Sequence, residues 1–164
     1  MSESIAVLVI ALTALIFAFL IPFAAHRTHL LLLARRRREE IRAPWPEASL
    51  PAVTVQLPMY NEYAVAGQAI DAACSLDYPS ELLEIQVLDD SDDETLGLVE
   101  QRVLAWRDRG LNVKHVRREG RNGFKAGALR AGTRDANGDF LLIFDADFVP
   151  GPHVLRELLS PRQD

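Results

Sequence analysis

Cysteine is nearly absent from this sequence: Cys74 is the single one in 164 residues. One thiol excludes an internal disulfide framework and fits a reducing compartment, where a buried, unreactive role is expected. Excess positive charge is also lacking, since 18 Lys and Arg face 23 Asp and Glu for a net charge of -5. Nucleic acid is therefore not a partner that the composition suggests. No Lys or Arg precedes the first apolar run, and Glu3 stands there instead, which argues against a cleaved secretory signal. Repeats and low-complexity stretches are missing as well. What remains is one domain's worth of chain, 49% of it apolar, enough to fold around a core.

The first positive feature is a long apolar run. Residues 5–25 are interrupted only by Thr13 and Pro22, and roughly 20 residues at a rise of 1.5 Å cross the hydrocarbon core of a bilayer. A transmembrane helix is predicted over residues 1–25. Arg27 and the arginines at 35–38 lie on its C-terminal side alone. The positive-inside rule then places the rest of the chain in the cytoplasm, as the soluble part of a single-pass membrane protein. Residues 29–38 are expected either along the membrane surface, arginines near headgroups, or as a basic helix prolonging the span. Residues 26–51 read as a basic juxtamembrane segment and a stiff linker, because Pro44, Pro46 and Pro51 forbid regular helix. The soluble domain is expected over residues 52–164.

Within it, short β-rich runs alternate with helical stretches. Strands are predicted at 53–57, 84–88, 113–116 and 140–144, and helices at 64–75, 95–109 and 125–134. The last strand is apolar throughout, as a strand covered on both faces should be. This βαβαβαβ pattern predicts an α/β fold with a Rossmann-like, mostly parallel sheet and ligands beyond the carboxyl ends of its strands. Each strand is followed by a polar cluster: Tyr60-Asn-Glu62, Asp89-Asp-Ser-Asp-Asp93, the basic stretch 117–125, and Asp145-Ala-Asp147. All four converge on one edge of the sheet, and the opposite loops are expected to lack such charge, a pattern that marks a site.

Asp145 and Asp147 end an apolar strand, and both carboxylates reach outward if the backbone turns. Hard oxygen ligands of this kind suit Mg2+ or Mn2+ that also holds a diphosphate. Asp89 and Asp90 end the second strand, where an acid can accept hydrogen bonds from ribose hydroxyls or a base N–H. Asp92, Asp93 and Glu94 fit better as acids favouring the next helix N-terminus. An EF-hand is rejected, because Glu94 stands where its turn requires glycine. Lys125, near a helix start and among glycines, suits phosphate or sugar oxygens, although a solvated basic loop is the alternative. Tyr60, Asn61 and Glu62 serve equally well as a helix cap.

Four ordered blocks, Gln56-Leu-Pro-Met-Tyr-Asn-Glu62, Gln86-Val-Leu-Asp-Asp-Ser91, Arg121-Asn-Gly-Phe-Lys-Ala-Gly-Ala-Leu129 and Ile143-Phe-Asp-Ala-Asp-Phe148, resemble glycosyltransferase family 2. The likeness is to cellulose-synthase-like mannan and glucan synthases and their bacterial relatives, over residues 52–155. It implies a GT-A fold and an inverting hexosyltransferase that uses UDP-glucose or GDP-mannose on a glycan or lipid acceptor. By this resemblance Tyr60 and Glu62 border the nucleotide, Asp90 with Asp89 binds base and ribose, and Lys125 supports the donor. Asp145 faces the donor and joins Asp147, the principal ligand of Mn2+ or Mg2+.

The family's downstream acidic motif, which supplies the general base, and its Gln-x-x-Arg-Trp segment are missing from the sequence; His153 and Glu157 match no family position. The expectation is a fragment or one piece of a split enzyme, with a second chain supplying the other half. Two other readings stand beside it: a receiver domain phosphorylated on an aspartate, and a non-catalytic glycosyltransferase remnant that keeps the fold.

Overall fold

The computed structural model describes residues 2–37, 46 and 49–159. The chain divides into two units, one holding the N-terminal helix and the other spanning Pro44–Pro161. Helix α1 (Ser2–Arg37) is 36 residues long. Its segment Glu3–Ala34 is long and apolar enough to cross a membrane, its most apolar 18 residues having a mean hydropathy of 2.9. Apolar side chains face outward all round it, Phe19 at 76% exposure among them, which suits a helix surrounded by an apolar phase. The hydroxyls of Thr13 and Thr28 donate to the carbonyls of Val9 and Ala24, so neither needs water. The helix continues past Ala25 to Arg37, so the prolonged basic helix is the alternative seen there. Arg38, the side chains of residues 35–37, Pro44 and residues 160–164 lie outside the described residues.

The second unit is a four-stranded parallel sheet in the order β3-β2-β1-β4. Its strands are β1 (Val53–Met59), β2 (Leu83–Asp89), β3 (Asn112–Val116) and β4 (Phe140–Ile143). Helices α2 (Tyr63–Cys74), α3 (Thr95–Arg107) and α4 (Phe124–Arg134) make the crossovers, and a short α5 (Val154–Leu159) follows. The chain order reverses direction between β1 and β4, so the crevice at their carboxyl ends is the topological switch point, where open α/β sheets bind ligands. A receiver domain has β1 between β2 and β3; here β1 lies between β2 and β4, and that reading is set aside.

Strand alternation gives the sheet two unlike faces. Val53, Val55, Leu57, Ile85 and Val87 form one apolar cluster with Ala66, Ala69 and Ile70 of α2 and Val99 and Val103 of α3. The alanines of α2 let that helix approach the sheet closely. The other face is polar yet buried: Thr54, Gln56, Glu84 and Gln86 are all within 3% of full burial. Thr54 Oγ1 donates to Glu84 at 2.7 Å and Gln56 Nε2 to Gln86 Oε1 at 2.9 Å. Helix α4 lies over this face, and a Cβ at Gly132 would come within 2.8 Å of the side-chain ends of Leu88, Gln56 and Gln86, so a larger residue there would have to displace them.

Two expectations need correction. Charge is not confined to one edge: Glu84, at the amino end of β2, pairs with Lys114 and accepts from Asn137 N and Nδ2 at 3.0 and 2.9 Å. Burial alone would push its carboxyl up, but Lys114, Asn137 and Thr54 together hold it below the ordinary glutamate range. Nor is the apolar β4 covered on both faces. It is an edge strand, and Phe140, Leu141 and Ile143 are each more than 40% exposed. Helix α4 sits over β1 and β2 instead, and the buried Leu155 of α5 lines an apolar pocket together with Phe140, Leu141 and Leu142 of β4.

Candidate functional site

The carboxyl ends of β1 and β4 open into a cleft of about 510 Å³, lined by Tyr60, Glu62, Asp90, Arg121, Lys125, Asp145 and Asp147 among others. Each post-strand loop is held in place by a bond to the next. Asn61 adopts a positive φ of 54°, which asparagine tolerates. It donates its backbone N–H to Ser91 Oγ at 3.0 Å, and its amide exchanges two hydrogen bonds with Asp92. The loops after β1 and β2 are thus tied together by three hydrogen bonds. The Glu62 carbonyl receives the N–H groups of Val65 and Ala66 at the start of α2, but its carboxylate caps nothing. That carboxylate lines the cleft.

The two neighbouring acids of β2 have different roles. Asp89 is 1% exposed, accepts the Ser91 N–H at 2.9 Å, and pairs with His115 Nε2 at 2.9 Å. Burial pushes its carboxyl up, but the His115 and Ser91 bonds outweigh that and hold it below the ordinary range. It does not line the cleft. Asp90 does, and there it is gripped by Arg118, Nε to Oδ1 at 2.8 Å and Nη2 to Oδ2 at 2.6 Å. A pairing with both carboxylate oxygens of this kind fixes the plane of the acid as well as its charge. Asp92 and Asp93 stay out of the cleft: Asp92 serves Asn61, and Asp93 Oδ1 accepts the Thr95 N–H at the start of α3.

Across the cleft, Lys125 in the first turn of α4 pairs with Asp145, both side chains being more than half exposed. Asp147 lines the cleft one residue beyond the buried Ala146. Glu62 feels both acids. Its carboxyl is pushed up first by burial, then by Asp147 and Asp145, while Lys125 pulls it back only in part. Three carboxylates therefore share one lysine. Among the described residues no group of three His, Cys, Asp or Glu is arranged to hold a metal ion by itself. The aspartate pair still supplies hard oxygen donors open to the cleft, the kind of site at which Mg2+ shares one or two carboxylates with substrate phosphates.

Sequence reasoning overlooked two arginines as site residues. The Arg121 guanidinium lies on the Tyr60 ring, 3.1 Å from its centroid, and 5.2 Å from that of Phe124. Its buried Nε has no hydrogen-bond partner among the described residues. Arg118 reaches Asp90 from the loop after β3. The signal was present, since both lie in the basic stretch beside the Asn122-Gly-Phe-Lys125 block, but a run of arginines does not reveal which ones turn inward.

Similarity to known proteins agrees with this geometry. The profile of "Glycosyl transferase family 2" matches residues 54–164. Glucomannan 4-beta-mannosyltransferase 7 of Arabidopsis thaliana is 48% identical over 112 residues, 66% of this chain and 20% of that protein. The mannosyltransferase PcManGT from Pyrobaculum calidifontis, solved in complex with GDP-Man and Mn2+, superposes with a TM-score of 0.62 at 32% identity, over 85% of this chain and 42% of its own. TarS of S. aureus, residues 1–349 with UDP-GlcNAc, gives 0.52 at 28% identity, over 65% of this chain and 30% of its own. The chain spans about a fifth of the length of the curated relatives it matches. With the profile covering more than half of the chain, over the same four loops that build the cleft, the chain belongs to glycosyltransferase family 2.

Proposed function

We propose that this chain is the donor-binding part of a membrane-tethered inverting hexosyltransferase. Its donor is a nucleoside diphosphate sugar, and its product a β-glycan backbone or glycolipid. The observation that carries this is the single cleft in which Asp90, Glu62, Lys125, Asp145 and Asp147 converge at the switch point of the sheet. Asp90, its plane fixed by Arg118, accepts hydrogen bonds from base and ribose. Tyr60 and Glu62 border the nucleotide. Lys125, in the first turn of α4, takes the diphosphate, where helix N–H groups add to its charge. Mn2+ or Mg2+ fits Asp147 with Asp145 and would neutralise charge on the leaving diphosphate. The acceptor hydroxyl would attack the sugar's anomeric carbon from the side away from that leaving group, breaking the bond to the diphosphate oxygen and passing its proton to the general base that the family's downstream acidic motif supplies. GDP-mannose is the first donor to test, because the Arabidopsis relative and the Pyrobaculum structure are both mannosyltransferases.

Glu3–Ala34 would anchor the chain, with the arginines that follow holding the catalytic unit on the cytoplasmic face. Calorimetric titration of GDP and UDP into the full chain in detergent, with and without Mn2+, tests the site. Binding that needs the metal and is lost in Asp147→Ala supports it. A folded chain that binds neither nucleotide refutes it.

A further inference from the structure

Arg118 makes four hydrogen bonds that no role in nucleotide contact would require. Two go to the Asp90 carboxylate, as described. The others go to the backbone: Nη1 donates to the Asn122 carbonyl at 2.6 Å, and Nη2 donates to the Phe124 carbonyl at 2.8 Å. These two carbonyls flank a strained turn, in which Gly123 has a φ of 75° and Phe124, unusually for a non-glycine residue, a φ of 48°. That same turn delivers Arg121 onto Tyr60 and starts the helix that carries Lys125. Gly127 gives an independent sign of the arrangement. A Cβ there would fall 2.0 Å from the Asn122 carbonyl oxygen and 2.4 Å from Arg118 Nη1, so the helix leaves room for this contact by having no side chain.

We infer that Arg118 is a positioning residue that ties the nucleoside end of the cleft, at Asp90, to the cationic turn that meets the diphosphate. The inference rests on the donor-site reading above and deepens it. Arg118 lines no part of the cleft. Its guanidinium satisfies the turn's carbonyls and the carboxylate at once, so the positive φ at Phe124 is held by bonds that disappear with the side chain. The consequence is selective. Loss of Arg118 frees Asp90 oxygens that can still meet a base or ribose, but it releases the turn that aims Arg121 and Lys125. Diphosphate recognition is weakened while nucleoside recognition largely remains.

The test uses the full chain in detergent and two variants, Arg118→Gln and Gly127→Ala. Uridine, guanosine, UDP and GDP are titrated with Mn2+, and amide hydrogen exchange is followed without ligand. In both variants the dissociation constant of the bound nucleoside diphosphate rises about tenfold, the scale of one charge-assisted hydrogen-bond pair, while that of its nucleoside changes less than about threefold. Exchange accelerates at residues 122–127 and not in the second half of α4. An equal loss for nucleoside and diphosphate, or unchanged exchange in the turn, overturns the inference even if the donor site stands. A wild type that binds none of the four overturns the donor reading, and with it any ligand-positioning role for Arg118. Should Arg118→Gln fail to fold, Gly127→Ala carries both readouts.

Discussion

The acidic ends of β2 and β4 look alike in sequence and behave differently in the fold. At β2 each carboxylate has a dedicated partner: Asp89 has His115 and the Ser91 N–H, and Asp90 has Arg118. At β4, Asp145 has only the exposed Lys125 among the described residues, and Asp147 opens onto the cleft beside a glutamate whose ionisation it opposes. Acids compensated from within contribute to stability, whereas acids left in surplus at a cleft can draw in charge from outside. The division of labour follows from position: β2 is interior and flanked by β3, which carries His115 and whose following loop brings arginines, while β4 is an edge.

The largest effect expected from breaking this contrast lies at β4. Asp147→Ala should weaken Mn2+-dependent binding of GDP or UDP by at least about 100-fold, beyond the range of outer-shell changes. Its urea stability should stay within about 0.5 kcal/mol of the parent, as for other exposed positions. Asp89→Ala should give the opposite profile, a loss of about 2 kcal/mol in urea unfolding with a small change in nucleotide affinity. If Asp89→Ala instead abolished binding at full stability, the contrast would be wrong.

A smaller effect is expected from acid. Asp89 and Glu84 both have folded pKa values below their unfolded ones, so the stability they add is complete only above the unfolded values, from about pH 5 upward, and drains away as pH falls through the folded values. Urea midpoints between pH 3 and pH 7 should show this fall, flatter in Asp89→Ala. The smallest effect on stability belongs to Arg121→Ala, which removes the stack on Tyr60 and should cost about 0.5–1 kcal/mol, read from the same urea curves.

Much of this site was legible in the sequence because strands alternate with helices and each strand hands its last residues to one edge. The polar blocks after β1, β2, β3 and β4 therefore had to gather there. What stayed hidden was the fate of neighbours. Asp89 and Asp90 are adjacent, and the pleat sends successive side chains to opposite faces. Which acid meets the cleft depends on where His115 and Arg118 arrive from β3. In the basic stretch, Arg117 donates to the Ser91 carbonyl, Arg118 grips Asp90 and Arg121 lies on Tyr60, three roles from one charge pattern. The cover of β4 was equally illegible, because an apolar strand reveals its tendency to be buried and not what lies over it.

By itself, the sequence determined the apolar N-terminal helix, the βαβ succession and the set of acids and cations that meet at one edge. These follow from hydrophobic period, run length and turn chemistry, which are local properties. Only the tertiary structure decided the strand order with its switch point, the glycine-wide gap at which α4 crosses a polar sheet face, and the partner of each carboxylate. Those depend on contacts between segments some 25 to 90 residues apart, such as Asp90 with Arg118 and Thr54 with Gly138. No local pattern encodes a distance of that kind, because the side chains meet only once the sheet has formed.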